Sequence, residues 1–192
     1  MIVSPSIGVM GALGGLAIVV AMAGPSPSGT HPDAPPPAHT GGFGEPTCQV
    51  CHAEYGLDPE GMRVLLVGVP VRVEPESVHR IGVVVRAEGT VVAGFQLAAR
   101  RPDGRQAGRL RAVDDRVRIT IGDTPAGEVS FAHQTALGTE GESRVESRWT
   151  VEWTAPGTPT DVVWNVAGNS ANGDNSPFGD LVGLASAGTQ VR

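Results

Sequence analysis

The sequence predicts an all-β protein, an antiparallel β-sandwich, and three observations support this prediction. Short valine-rich runs recur through the second two-thirds of the chain. Turn-forming residues separate these runs, in keeping with 27 glycines and 16 prolines. No window shows a sustained apolar period of about 3.6 residues, as an amphipathic helix requires. Many short strands joined by turns bury their apolar faces best when one sheet packs on another.

The strand predictions follow from the spacing of apolar residues. Arginine alternates with valine and isoleucine over residues 116–121, the pattern of a half-buried strand. Trp149 and Trp153 fall on one face of a further run. Turns are predicted at 74–77 and at 101–104, where proline stands in the second position. The predicted strands are residues 64–73, 78–87, 91–99, 116–121, 129–135, 144–154 and 161–167, with a weak last strand at 181–185.

Charge and motif content exclude several classes of function. The net charge of −6 argues against nucleic acid as a partner, because phosphate binding requires a basic face. The chain has no G-x-S-x-G, H-E-x-x-H or phosphate-binding loop motif. We therefore do not predict an enzyme built on these motifs.

Residues 1–23 are apolar and rich in small side chains, and they end in Ala21-Met22-Ala23, a signal-peptidase type of site. This pattern predicts a signal peptide and an exported protein. No Lys or Arg precedes the apolar run, so an uncleaved membrane tether through residues 7–23 is the alternative.

Residues 24–45 combine proline, glycine and serine and include Pro35-Pro36-Pro37. This composition predicts a semi-extended linker without helix or strand. His31 and His39 lie in it, and we expect them to be solvated rather than to bind a metal.

The two cysteines of the chain form a Cys-x-x-Cys-His run, in which Cys48 and Cys51 are followed by His52. This is the signature of c-type haem attachment. Two thiols bind the haem vinyl groups, and the next histidine becomes the proximal ligand of the iron. We predict one covalent haem c, an attachment segment at 46–62 and a β-sandwich over 63–192.

The other uses of such a cysteine pair are a redox dithiol, a structural zinc site and a disulfide. A redox dithiol of the thioredoxin type needs a βαβ context, which this region lacks. A structural zinc site needs four ligands, and the remaining histidines show no second pair. A Cys48–Cys51 disulfide stays open as an alternative for an exported protein.

The order of several motifs resembles bacterial exported proteins with a Reelin-like (reeler) domain, also known as the choice-of-anchor V domain. The resemblance spans about residues 41–180 and implies an immunoglobulin-like β-sandwich. The matching motifs are Gly-x-Gly-Glu ahead of Cys-x-x-Cys-His at 42–52, Gly-Phe-Gln-Leu-x-Ala at 94–99, His-Gln-Thr at 133–135 with Gly-Thr at 138–139, Trp-Thr-Ala-Pro at 153–156, and Ala-Gly-Asn-x-x-Asn-Gly at 167–173 with Gly-Asp at 179–180.

Several side chains are candidates for the distal ligand of the iron. We expect His133, because its position matches a recurring His-x-Thr of the family it resembles. Met62 is the alternative ligand, and His79 or an open site are the others. A saturated iron favours electron transfer, whereas an open site permits small-molecule binding or peroxidase-like chemistry.

We therefore predict a monohaem c-type cytochrome of the bacterial periplasm or the periplasmic face of the membrane. It would exchange electrons with a redox partner protein, or serve as an accessory subunit of a larger membrane redox complex. The alternative is a non-redox cell-surface or matrix interaction module that carries a Cys48–Cys51 disulfide. A polar loop at 168–180 offers oxygen ligands for Ca²⁺, but turn chemistry is the preferred interpretation.

Overall fold

The computed structural model describes Met1 and residues 35–192, apart from 141, 142 and 144. The signal-peptide prediction, His31 and the first part of the predicted linker lie outside these described residues. Within them, no helix is long and apolar enough to cross a membrane.

The described residues form ten strands and two short 3-10 turns. The turns are Cys48–Val50 and Ala136–Gly138. The strands are β1 (Arg63–Val67), β2 (Arg72–Val73), β3 (Val78–Arg86), β4 (Val92–Arg100), β5 (Arg109–Ala112), β6 (Val117–Thr124), β7 (Gly127–Gln134), β8 (Glu146–Thr154), β9 (Thr160–Ala171) and β10 (Leu181–Val191).

The strands make two sheets that pack face to face, which confirms the predicted β-sandwich. The smaller sheet has the order β1-β3-β8-β5, and the larger has the order β2-β10-β9-β4-β7-β6. Neighbouring strands run antiparallel except β2 and β10, which are parallel. The prediction of an antiparallel sandwich thus holds for all but this one short pair.

Aromatic side chains fill the space between the sheets. Trp153 and Trp164 meet edge to face with ring centroids 5.0 Å apart, and Phe95 lies 4.8 Å from Trp149. Trp149 and Trp153 both point into this core, as the alternating pattern predicts. Each indole N–H donates to an oxygen, so the large rings are buried without leaving a donor unpaired.

The predicted strand 64–73 is divided between the two sheets. Gly68 adopts a φ of +76° directly after β1, a conformation that glycine takes at little cost. The chain turns there, and β2 joins the far edge of the larger sheet beside β10. Gly68 could indicate a turn from the sequence alone. That β2 joins the other sheet depends on its long-range pairing with β10.

Two further strands differ from the sequence-based prediction. β5 was not predicted, because only Leu110 of its four residues is fully buried and Arg109 and Arg111 alternate with it. β10 runs well beyond the predicted 181–185. Its glycine, serine and alanine residues have weak strand propensity, yet they pair with β9 along its length.

Residues 35–47, called the strap here, lie across the outer face of the larger sheet, which points away from the smaller sheet. The strap contains no helix or strand. It is nevertheless packed: Gln96 donates to the Pro36 carbonyl at 2.8 Å and accepts from the His39 amide at 2.6 Å. Ala38 contacts a small apolar cluster of Ala98, Val129 and Phe131. The strap therefore places the cysteine motif against the sheet.

Candidate haem site

Cys48 begins the 3-10 turn Cys48–Val50, and Cys51 caps its C-terminal end. Thr47 caps this turn, because its hydroxyl oxygen accepts from the Gln49 amide at 3.1 Å. The amides of Cys51 and His52 both donate to the Cys48 carbonyl, at 3.2 and 3.0 Å. Both thiols are free and partly buried. These bonds hold the backbone of Cys48, Cys51 and His52 in one compact segment, and these are the three residues that covalent haem attachment uses.

The Cys48 thiol is in its protonated form at neutral pH. Burial raises its pKa to about 12, and the neighbouring Cys51 adds to the effect. Reactive dithiols and thiolate metal ligands need the opposite, a thiol pKa lowered by nearby positive charge or a helix N-terminus. This environment does not suit a redox dithiol.

His52 is held by a carboxylate from the far end of the chain. Its Nδ1 lies 2.6 Å from Oδ2 of Asp180, which directly precedes β10. The Asp180 side chain is 1% exposed and that of His52 is 26% exposed. In a neutral imidazole, a proton on Nδ1 that is donated to this carboxylate leaves the lone pair on Nε2. This is the tautomer that a metal-binding histidine uses when a carboxylate orients it.

Asn169 of β9 lies beside the same imidazole. Its Nδ2 is 3.4 Å from Nε2 and 3.5 Å from Nδ1 of His52. Its Oδ1 is buried and has no hydrogen-bond partner among the described residues. A buried acceptor of this kind is satisfied by one donor, such as a water molecule.

Exposed apolar side chains surround the motif. Val50 and Phe178 are each 65% exposed, Tyr55 is 46% exposed and Leu57 is 41% exposed. The surrounding backbone is tied together, since Gln49 donates to the Tyr55 carbonyl and the Gly179 amide donates to Glu54. A macrocycle with large apolar faces can be covered by such side chains. Cys48, Cys51 and His52 are the residues that would hold a haem here, with these apolar side chains beside it.

The structure places His133 on the same outer sheet face, but not next to His52. His133 pairs with Gln96, and Gln96 pairs with Ala167, two residues before Asn169. Strand spacing puts His133 about 12 Å from Asn169, Cα to Cα. The His133 side chain is fully buried, with Nδ1 2.7 Å from the Gln134 carbonyl. Its role as distal ligand stays a prediction.

The other candidate ligands lie in different surroundings. Met62 is 1% exposed and belongs to the core between the sheets. His79 is on β3 of the smaller sheet, 6.0 Å from the Trp153 ring and hydrogen bonded to Ser77. His39 is half-buried within the strap, with Nδ1 2.9 Å from the Pro37 carbonyl. His133 and His39 thus share the outer face with the cysteine motif.

Sequence reasoning missed Asp180 and Asn169 as partners of His52. Both stand in the Asn-Gly and Gly-Asp motifs of the resemblance, which were interpreted as turn or calcium chemistry. The loop does contain local turns, since Asn172 accepts from the Asp174 amide and Asp174 accepts from the Ser176 amide. In the described part of the chain, no three His, Cys, Asp or Glu side chains cluster as a metal site.

No protein-family model and no curated protein matches the chain, whereas several solved structures do. The Reelin-N domain of F-spondin is 16% identical, with a TM-score of 0.48, over 75% of this chain and 96% of that one. The human F-spondin reeler domain is 17% identical, with a TM-score of 0.43, over 71% and 93%. A cohesin module from a Clostridium perfringens family 33 glycoside hydrolase is 13% identical, with a TM-score of 0.49, over 68% and 96%. Likenesses this distant assign no function.

Proposed function

We propose that this chain is an exported c-type cytochrome that carries one covalent haem and transfers electrons. One observation carries the proposal: His52 directly follows the turn that begins at Cys48 and is capped by Cys51, and the buried carboxylate of Asp180 engages its Nδ1. That contact leaves the Nε2 lone pair for an iron, and the Asn169 amide, which lies 3.4 Å from Nε2, would have to move aside for it. The raised pKa of the Cys48 thiol argues against a redox dithiol role.

Each residue of the site has a separate task. Cys48 and Cys51 would form thioether bonds with the haem, and Nε2 of His52 would bind the iron. The haem supplies a couple between ferric and ferrous iron when it is bound. Asp180 orients the imidazole, and the exposed apolar side chains of Val50 and Phe178 would exclude water. Two packed sheets hold these groups in place.

The proposed partner is a protein or membrane redox complex outside the cytoplasm, in a bacterial periplasm or at its membrane face. Haem in this role passes electrons and transforms no substrate, so the chain would act as a carrier or as an accessory subunit. His133 is the proposed distal ligand because it lies on the same sheet face as the cysteine motif. Met62 would first have to leave the core to take this position.

The test is production of the protein together with haem-maturation machinery, followed by visible spectra before and after reduction. We expect haem that stays bound through denaturation, and sharp α and β bands in the reduced state. His52→Ala should abolish that spectrum, whereas His79→Ala, on the other sheet, should keep it. A colourless protein under these conditions would contradict the proposal.

A second candidate function is a non-redox surface interaction module in which Cys48 and Cys51 form a disulfide. The observation in its favour is the exposed apolar group around the motif, which could also contact a protein. Mass spectrometry separates the two functions. A haem-loaded chain gains the mass of the cofactor, whereas the disulfide form loses only two hydrogens.

A further inference from the structure

We propose that Asp180 is a positioning residue that lowers the reduction potential of the haem through His52. The inference deepens the proposed function and rests on it. It concerns how strongly the proximal imidazole donates electrons to the iron, a property that the Cys-x-x-Cys-His motif does not determine. The motif supplies the imidazole, while the group opposite Nδ1 comes from a loop 128 residues further along the chain.

The contact between Asp180 and His52 is short and shielded from water. The carboxylate is 1% exposed and lies 2.6 Å from Nδ1. Its other oxygen, Oδ1, accepts from the Asn172 amide at 3.3 Å, which holds the carboxylate in place. A hydrogen bond to a charged group is stronger than a neutral one, and a low local dielectric strengthens it further.

A carboxylate in this position changes the iron through the imidazole. A proton drawn from Nδ1 toward Asp180 makes the ring a stronger electron donor at Nε2. The negative charge also stabilises ferric iron more than ferrous iron, because the ferric site carries one more positive charge. Both effects lower the reduction potential. A backbone carbonyl in the same place would supply the hydrogen bond without the charge.

Burial itself argues that Asp180 serves His52. A carboxylate taken out of water is costly unless it is paired or hydrogen bonded. Asp174, in the same loop, satisfies local amides while exposed to solvent. Asp180 is instead directed inward onto the imidazole.

The test is a potentiometric titration of the haem-loaded protein and of Asp180→Asn. Asparagine keeps the shape and can still accept from Nδ1, but it removes the charge. We expect the potential of this variant to shift upward, and Asp180→Glu to return it toward the wild-type value. Asp174→Asn is the matched control, and it should leave the potential unchanged. An Asp180→Asn protein with attached haem and the wild-type potential would overturn the inference.

A second measurement covers the case in which the Asp180 variant fails to fold or to mature. In the proton NMR spectrum of the reduced wild-type holoprotein, the Nδ1 proton of His52 should exchange slowly with solvent. A rapidly exchanging proton would overturn the inference even if haem is bound. A wild-type chain that takes up no haem would instead refute the proposed function, so the two failures are distinguishable.

Discussion

Arg100 of β4 and Glu45 of the strap form an ion pair that solvent hardly reaches. Their side chains are 2% and 7% exposed. The guanidinium also lies over two aromatic rings, 5.2 Å from the centroid of Phe43 and 5.3 Å from that of Phe131. The hydroxyl of Thr40 donates to the second carboxylate oxygen of Glu45 at 2.6 Å. The glutamate of the Gly-x-Gly-Glu motif therefore anchors the strap to the sheet just ahead of the cysteines.

Removal of this carboxylate should destabilise the fold. Glu45→Gln leaves Arg100 charged and buried without a counter-charge, which typically costs about 3–5 kcal/mol. We expect a loss of about 3 kcal/mol in the free energy of unfolding, measured by urea denaturation. The control is Glu152→Gln, which breaks the exposed pair with Arg111 and should cost less than about 1 kcal/mol. Equal effects from the two variants would contradict the anchoring role of Glu45.

The close approach of the sheets at Gly168 predicts a second effect on stability. A Cβ at this position would lie 2.7 Å from Cγ2 of Val85 and 2.9 Å from Cγ2 of Val64. Gly168→Ala should therefore overpack the core and cost about 1–3 kcal/mol. Gly188→Ala, on β10, is the control, because its nearest described contact would be the Val162 carbonyl at 3.9 Å. In thermal unfolding, the midpoint temperature of Gly168→Ala should be well below that of Gly188→Ala. The reverse order would contradict the prediction that Gly168→Ala overpacks the core.

The raised pKa of Cys48 predicts slow alkylation in the haem-free, reduced protein. Burial holds the thiol pKa at about 12, so the reactive thiolate is scarce below that pH. Each pKa unit changes the thiolate fraction about tenfold, so we expect roughly a thousandfold slower reaction of Cys48 in the folded chain than in urea at mildly alkaline pH. Peptide mapping after timed iodoacetamide treatment measures this ratio. Similar rates in both states would show that the thiol is not shielded.

Distal ligation by His133 can be tested by its removal from the haem-loaded protein. His133→Ala should convert a low-spin spectrum into a high-spin one, because the sixth ligand is lost. Met62→Leu is the matched control, since it keeps an apolar side chain in the core and should leave the spectrum low-spin. An unchanged spectrum of His133→Ala would remove His133 from the site. His39→Ala would then be the next variant, because His39 also lies on that face.

Much of the fold was predictable because strand patterns are local. The alternation around Trp149 and Trp153 indicates which side chains enter the core, and both are buried there. β5 and the second half of β10 were not predictable in this way. Their residues form strands because β8 and β9 pair with them. The strand propensity of a short segment does not show whether a distant strand will pair with it.

In the candidate site, too, some features follow from local sequence and others from long-range contacts. Cys48, Cys51 and His52 lie within five consecutive residues, so the sequence alone determines that two thiols and an imidazole share one short segment. Asp180 and Asn169 reach His52 only because β9 and β10 pair and bring their loop back to the motif. Likewise, Glu45 meets Arg100 across 55 residues. Local spacing determines the chemistry that the motif can perform, whereas the charge, burial and orientation of its groups depend on contacts that only the folded sheets create.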